Sequence, residues 1–211
     1  MTLNDIKKAA LALMFTNYSD DLSDENVDNL SSEEYTQYLV NMNASINRSL
    51  GRIESAGVLP LKTQEITTAT TGTVSGNFAR YDLSTLASKF KSISRIAKET
   101  ASGEYISSVK YHVEGTTLVV APLDTGDKYI VIYHWRPNRV SITAGSYTVV
   151  DVPDNIAEII PYYIKADLYE EDEPNLALQA RNIFESLLSQ FVVDESSGDA
   201  GVVNVWGGGL Q

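Results

Sequence analysis

Two groups of residues carry side chains that could do chemistry: the acidic run Glu170–Glu173 and the triplet His134-Trp135-Arg136. Adjacent carboxylates are the type of ligand that Mg²⁺ and Ca²⁺ prefer. However, no glycine or alternating Asp/Asn pattern accompanies the run, so it favours a solvated junction between two helices. His134 could act as a general base only with an orienting partner, and the sequence supplies none. Its alternation with Tyr133 and Trp135 predicts instead a histidine packed at the end of a strand.

Other catalytic signatures are missing from the sequence. It contains no Gly-rich phosphate loop, no nucleophile elbow and no His-Glu zinc motif. The absence of cysteine excludes thiolate nucleophiles, disulfides and cysteine metal sites, and only two histidines, His112 and His134, are present. We therefore predict a protein that is not an enzyme and that has no catalytic residues, no cofactor and no metal site.

The acidic run lies between two predicted helices that span residues 152–193. Apolar residues recur in both at three- and four-residue steps, which indicates one buried stripe in each helix. The two stripes consist of Ile156, Ile159, Ile160, Tyr163, Ala166 and Tyr169, and of Leu176, Ala180, Ile183, Phe184, Leu187, Leu188 and Phe191. Pro161 should kink the first helix or mark its true start, and Pro174 suits the first position of the second. A connection this short predicts an antiparallel hairpin, which needs partners from earlier in the chain or from another subunit.

Residues 1–60 predict two further helices. The first covers residues 3–15, and residues 17–30 read as an acidic loop. The second begins at a capping box of Ser31 and Glu34 and ends near Gly57. Its predicted stripe consists of Tyr35, Tyr38, Leu39, Met42, Ile46, Leu50 and Ile53.

From Leu61 the hydrophobic period changes to two, and β-branched residues dominate. About six strands are predicted, as a meander that closes into a small sandwich or barrel. The segment Lys128–Trp135 is apolar on both faces, which predicts a central strand. Glu114-Gly115 is predicted as a two-residue hairpin turn, and residues 124–127 as the turn before the central strand. Tyr147–Val150 could form one last strand.

The predicted fold class is α+β: an antiparallel helical bundle from the N- and C-terminal segments with an inserted antiparallel β sandwich or barrel. The predicted parts are residues 1–60 (N-terminal helices of the bundle), 61–151 (inserted β domain), 152–193 (C-terminal helical hairpin) and 194–211 (extended tail). In the tail, a spacer precedes a strand-like apolar segment of Val202, Val203, Val205 and Trp206. This segment is either a disordered chain end or a partner-binding strand.

The net charge of −12 is unevenly spread. Residues 61–150 carry seven acids and ten bases, whereas residues 151–211 carry twelve acids and two bases. The densest basic stretch consists of Arg80, Lys89, Lys91, Arg95 and Lys98, without the aromatic motif of a nucleic-acid-binding domain. The longest apolar runs are far shorter than the ~20 residues that span a bilayer. The sequence thus predicts no specific DNA binding and no membrane partner.

Three stretches together resemble the head–tail connector (adaptor) proteins of tailed bacteriophages. They are VPDNIAEIIPYYIKADLYEEDEPNLALQARNIFESLL, the N-terminal helices, and NFARYDLSTLASKFKSISRIAKE. In that family the penultimate helix starts after a short proline-containing lead, carries aromatic and small residues, and breaks at an acidic turn. The matching residues here are Val152, Pro153, Asp154, Tyr162, Tyr163, Ala166, Leu168, Tyr169, Glu171, Asp172, Glu173 and Pro174. The roughly ninety-residue β region is more like that of adaptors from short-tailed phages.

The resemblance implies a structural virion protein made in the host cytoplasm and located in the neck. Its partners would be further copies of itself in a dodecameric ring, the portal protein above, and a tail or nozzle protein below. DNA would pass through without specific binding, with Glu170, Glu171, Asp172 and Glu173 as channel-lining candidates. The alternatives are another phage tail or baseplate structural protein, or a β-rich module that binds protein or carbohydrate through Tyr129, Tyr133 and Trp135.

Overall fold

A computed structural model describes the backbone of residues 1–15, 27, 33–67, 72–75, 78–99, 102–103, 105–106, 109–121 and 128–206. Side chains are described over the same ranges except at 33–34, 67, 72–75, 105–106, 121 and 192–206. The protein is α+β, and the described residues form helices and two antiparallel four-stranded sheets. The chain divides into a helical unit, Met1–Val58 with Asn138–Gln211, and a β unit, Leu59–Pro137.

The described part of the helical unit contains five α-helices. They are α1 (Leu3–Met14), α2 (Glu33–Ala56), α3 (Asp154–Ala157), α4 (Ile160–Leu168) and α5 (Pro174–Trp206). Helix α1 starts at a capping box of Thr2 and Asp5, which the sequence analysis missed. Helix α2 ends before Gly57, whose φ of 74° is the left-handed conformation of a glycine C-cap, as predicted. The predicted capping box at Ser31 and the predicted loop 17–30 lie outside the described residues, except for Val27.

The first helix of the predicted hairpin is divided in two. The single turn α3 ends at Ala157, and α4 begins at Ile160 with Pro161 in its first turn. A proline there breaks no helical hydrogen bond, because the first amides of a helix have no partner within it. Of the two roles predicted for Pro161, marking the true start of the helix is therefore the one found.

The core of the helical unit is formed by apolar stripes on its helices. All six residues of the first hairpin stripe are buried, and so are Met42, Ile46, Leu50 and Ile53 of α2. Helix α4 packs against α1, α2 and α5. The stripe predicted on α5 is only partly right: Ala180, Phe184 and Leu188 are buried, whereas Leu176 and Ile183 are exposed. Helix α5 packs on α4 and α2 with one face, and nothing in the described helical unit covers the opposite face.

The C-terminal end of α1 is held by side chains of α4 and of the residue that follows it. Lys165 Nζ donates to the carbonyl of Leu13 at 2.5 Å, and the hydroxyl of Tyr169 donates to the carbonyl of Met14 at 2.8 Å. These carbonyls belong to the last turn of α1, where no intrahelical donor is available. The two bonds join segments that are more than 150 residues apart in sequence.

Residues 138–150, here called the anchored loop, belong to the helical unit and not to the predicted β domain 61–151. The amide of Leu3 donates to the carbonyl of Thr148, and the amide of Val150 donates to the carbonyl of Met1. The predicted strand Tyr147–Val150 is reduced to one isolated bridge between Thr2 and Val149. The loop finds its hydrogen-bond partners in the N-terminus and in α2, so no sheet is needed to satisfy its backbone.

The described part of the β unit contains eight strands. They are β1 (Lys62–Thr67), β2 (Gly72–Ser75), β3 (Phe78–Asp82), β4 (Phe90–Glu99), β5 (Tyr105–Ile106), β6 (Lys110–Glu114), β7 (Thr117–Ala121) and β8 (Lys128–Trp135). The strand orders are β1-β8-β4-β5 and β2-β3-β7-β6. The predicted meander is therefore wrong, because half of the neighbouring pairs in the sheets are not consecutive strands: β8 lies between β1 and β4, and β3 pairs with β7. Such long-range pairing leaves no local trace in the sequence.

Two finer predictions for the β unit have clear outcomes. Strand β8 lies between β1 and β4, as the apolar character of both its faces predicted. The β6–β7 turn is shifted by one residue to Gly115-Thr116, with φ of 62° at Gly115, because Glu114 already pairs with Thr117. The turn predicted at residues 124–127 lies outside the described residues. Nowhere in the described chain is a helix both long and apolar enough to cross a membrane.

Candidate functional site

The acidic turn, Glu170–Glu173, connects α4 to α5 and is exposed. The turn is closed by the amide of Glu173, which donates to the carbonyl of Tyr169 at 2.9 Å, and Tyr169 itself is buried. None of the four carboxylates forms an ion pair or a hydrogen bond with another residue that the structure describes. The prediction of a solvated junction between two helices is thus correct, and Pro174 is the first residue of α5 as predicted.

A polar cavity of about 700 Å³ lies beside the acidic turn. Helix α2 contributes Gln37, Tyr38, Asn41 and Arg48, and the other wall is formed by Asp167, Leu168, Glu170, Glu171 and Asp172. The sequence analysis missed this cavity, since the pairing of α2 with α4 cannot be read from either helix alone. Its lining offers carboxylates and amides but no nucleophile next to a base.

Two arginines of α2 bind carboxylates of the helical hairpin, one on α4 and one on α5. Arg48 Nε donates to the two carboxylate oxygens of Asp167 at 3.0 and 3.1 Å, and Arg48 Nη2 also contacts Oδ2. Hydrogen bonding to Asp167 raises the pKa of Arg48 above its ordinary value. One turn later, Arg52 Nε and Nη2 donate to the two oxygens of Glu185 at 2.8 and 2.6 Å. Bidentate arginine–carboxylate geometry fixes orientation as well as distance, so these pairs set how α2 lies against α4 and α5.

The arrangement around the acidic turn does not form a metal centre within the described residues. No group of three or more His, Asp or Glu side chains there is arranged to hold a metal ion. Asp167 is already bound by Arg48, and the carboxylates of the turn point to solvent from an exposed connection. What the turn provides physically is a fixed patch of negative charge on a well-packed helical hairpin.

His134 lies half-buried on β8, opposite Ser92 of β4, in agreement with the predicted packed strand histidine. Trp135 is buried, and its Nε1 donates to the carbonyl of Pro60 at 2.9 Å. Tyr129 and Tyr133 are buried as well. The three rings of the carbohydrate-binding alternative are therefore core side chains, because alternate residues of this central strand face the interior of the β unit.

The predicted basic stretch is divided between the two sheets. Arg80 lies on β3, whereas Lys91, Arg95 and Lys98 lie on β4 of the other sheet. Arg80 Nη1 donates to Glu114 Oε2 at 3.0 Å, and His112 Nε2 lies 2.9 Å from Glu114 Oε1. The hydrogen bond with His112, and then that with Arg80, lowers the pKa of Glu114. This exposed cluster was missed, although the two-residue spacing of His112 and Glu114 in one strand already places them on one face.

The C-terminal candidates Val202, Val203, Val205 and Trp206 lie in the last turns of α5. The extended conformation predicted from residue 194 is wrong wherever the backbone is described, because α5 continues through Trp206. A helix that is already formed gains one hydrogen bond for each residue added, and residues 194–206 contain no proline, although Gly198 and Gly201 each weaken the helix. The partner-binding role of the segment stays a prediction.

No protein-family model matches this sequence, and no curated protein is significantly similar to it.

Proposed function

We propose that this protein is the structural subunit of a ring in the neck of a tailed bacteriophage. The ring lies under the portal protein, joins the capsid to the tail and continues the DNA channel. In this proposal the helical unit is the antiparallel bundle of the adaptor family, and the two sheets of the β unit close as its sandwich or barrel. The protein catalyses no reaction, binds no cofactor, and contacts copies of itself, the portal, and a tail or nozzle protein.

The observation that supports this proposal best is that both ends of the chain build one helical unit around α4. Helices α1 and α2 pack on α4, although the whole β unit separates them from it in sequence. The Val152-Pro153 lead is followed by the single turn α3 and then by α4, which carries buried Tyr163 and Ala166 and stops before the acidic turn. This is the chain order that the adaptor family resemblance implies.

The acidic turn suits a channel through which DNA slides. Its four carboxylates are exposed and form no ion pair or hydrogen bond with the described residues. The charge of Glu170 helps to raise the pKa of Arg48, but the Arg48 side chain is already bound by Asp167. A negatively charged wall repels phosphates, whereas binding of DNA requires concentrated Lys and Arg. We therefore propose Glu170–Glu173 as the channel-lining residues.

The experiment that tests this function is coexpression with the portal protein of the same phage genome, followed by native mass spectrometry and cryo-electron microscopy of the product. We expect a ring of this protein with an axial opening, seated on the portal. A protein that stays monomeric and never associates with the portal would contradict the proposal.

Residues Val202–Trp206 are proposed as the portal-binding segment, now as the end of a helix instead of a strand. Four apolar side chains in this short segment can enter an apolar groove of a partner. Deleting residues 198–211 should remove portal binding and leave the melting temperature nearly unchanged, while deleting only residues 207–211 serves as the matched control. If the longer deletion unfolds the protein, the segment belongs to its own core.

A further inference from the structure

Strand β6 is an open edge of its sheet. It ends the strand order β2-β3-β7-β6, and all five of its residues, Lys110–Glu114, are exposed. Among the strands that the structure describes, only β7 pairs with it. The free side of an edge strand offers unpaired backbone amides and carbonyls to another strand.

Two interior rows of this sheet end in exposed apolar side chains at the β6 edge. Residues that pair across antiparallel strands lie on the same face of a sheet. The first row consists of Ala79, Val120 and Tyr111, and the second of Tyr81, Leu118 and Val113. The first two members of each row are buried, whereas Tyr111 and Val113 are 41% and 39% exposed. One further strand beside β6 would cover the exposed end of both rows.

The hairpin between β6 and β7 decides which backbone groups of β6 are free. Glu114 and Thr117 flank its two-residue turn, so this closing pair exchanges both ladder hydrogen bonds. Bonded pairs alternate along an antiparallel ladder, and every second residue from Glu114 therefore directs its backbone groups toward β7. The amides and carbonyls of the two residues between, Tyr111 and Val113, consequently point to the open edge.

The sequence of β6 is complementary to itself when two copies run antiparallel. Tyr111 of each copy can pair with Val113 of the other, because both residues have their backbone groups at the open edge. The same register places Lys110 opposite Glu114 at both ends and His112 opposite its counterpart at the centre. Pairs of an aromatic with a β-branched residue, and pairs of opposite charge, stabilise a sheet. A register shifted by two residues loses both charge pairs.

Charge also favours a contact between the β units of two copies. The β unit contains seven acids and nine bases, whereas the helical unit contains twenty-one acids and seven bases. Two copies therefore repel each other much less through their β units than through their helical units. At the centre of the contact, each His112 Nε2 lies 2.9 Å from Oε1 of its own Glu114. Positive charge on the two imidazoles would thus be offset by a carboxylate beside each.

We propose that two copies of this chain join through β6, so that two sheets of the order β2-β3-β7-β6 continue into one eight-stranded sheet. A two-fold axis passes between the two His112 residues, and each strand covers the apolar row ends of the other copy. A contact between identical patches closes after two copies and does not build a ring. The inference therefore goes beyond the proposed neck function and describes an association that needs no portal.

Charge reversal tests this register without changing a buried side chain. Lys110→Glu places like charges opposite each other at both ends of the contact, and so does Glu114→Lys. Each variant alone should dimerise about tenfold more weakly than the natural protein. An equimolar mixture of the two variants has opposite charges at both ends again, so we expect mixed dimers of the natural affinity. Sedimentation velocity and native mass spectrometry measure this. The matched control, Lys89→Glu at another exposed position of the β unit, should dimerise like the natural protein.

Disulfide trapping gives a second readout, because the natural chain has no cysteine. Positions 110 and 114 of the two copies form a pair without ladder hydrogen bonds, whose Cα atoms lie about 4.5 Å apart, within disulfide reach. A mixture of Lys110→Cys with Glu114→Cys should on oxidation give mixed dimers well above their statistical share. A control mixture of Lys89→Cys with Glu114→Cys should give the statistical share.

A natural protein that stays monomeric at high concentration would overturn the proposal. So would a mixture of the two charge variants that associates no better than either alone, since the dimer would then form through another surface. Equal disulfide trapping in the control mixture would show that the register is wrong. If the natural protein is monomeric but the charge variants weaken binding to the portal, the β6 edge takes a different partner and the second copy is excluded. Circular-dichroism spectra verify that each variant is folded.

Discussion

Replacing Asn47 by alanine should release the anchored loop, and the structure gives the size of the effect. The side chain of Asn47 forms two hydrogen bonds with the buried Val140, one to its carbonyl and one from its amide. At about 1 kcal/mol for each net bond, Asn47→Ala should make opening of the loop about 2 kcal/mol easier. That value corresponds to a roughly thirtyfold larger population of the open loop.

Asn43→Ala is the informative comparison, because the same residue type on the same helix should matter much less. Its Nδ2 donates to two loop carbonyls, but its Oδ1 is buried without a hydrogen-bond partner among the described residues. Removing the side chain loses the donor and also removes the cost of an unsatisfied acceptor, about 1–3 kcal/mol. The two contributions oppose each other, so we expect a change close to zero.

Amide hydrogen exchange is the assay, read at Ala144, whose amide donates to the carbonyl of Ser141 within the loop. We expect exchange roughly thirtyfold faster in Asn47→Ala and little change in Asn43→Ala. Asn41→Ala, at an exposed position of α2, is the control for a loss of helix stability in general. Equal acceleration by the Asn43 and Asn47 substitutions would refute the account of how the loop is held.

Three further predictions concern the ion pairs, the acidic turn and the β unit. Hydrogen bonding to Arg52 lowers the pKa of Glu185 below 4.5 in the folded state. The Arg52–Glu185 ion pair therefore stabilises the folded state above pH 4.5, and this contribution is lost as the pH falls through the lowered pKa of the folded protein. The urea midpoint should consequently fall more steeply with decreasing pH in the natural protein than in Arg52→Met. Parallel plots of midpoint against pH would show that the Arg52–Glu185 pair does not stabilise the fold. Replacing Glu170–Glu173 by lysines should leave the protein folded, with an unchanged circular-dichroism spectrum, but slow DNA ejection at low salt, whereas four glutamines should not slow it; normal ejection by the lysine variant would mean that the turn faces away from DNA. Residues 59–137 alone should give a β-type circular-dichroism spectrum, and a fragment starting at residue 61 should be about 1 kcal/mol less stable because it lacks the Pro60 carbonyl; a helical or unfolded spectrum would show that the unit does not fold alone.

Local patterns predicted the elements of this fold well. The stripe from Ile156 to Tyr169 is buried as its spacing indicated, because a helix with one apolar face must cover that face. The order of the strands could not be predicted, since the pairing of β1 with β8 depends on contacts across the whole β unit. The assignment of the loop to the helical unit was missed for the same reason: its partners Asn43 and Asn47 lie far earlier in the chain.

The same division applies to the candidate site. The exposure of Glu170–Glu173 follows from local charge and from Pro174, and it was predicted correctly. The cavity beside the turn needs the approach of α2, which the sequence of the turn does not encode. On α5, Leu176 and Ile183 were assigned to the core because periodicity does not distinguish a side chain buried within one chain from an apolar side chain left exposed.

The bond from Tyr169 to the end of α1 also determines when this protein can fold during translation. Its two residues are 155 positions apart, and the strands β1 and β8 are likewise the first and last of their unit. While the ribosome is still adding α4, the stripes of α1 and α2 lack the helix on which most of their surface packs. In the β unit, β1 and β4 likewise wait for β8, which lies between them. A chain released too early therefore exposes apolar helices and is removed by cellular proteases. Late closure of the fold therefore acts as a length check on the newly made chain.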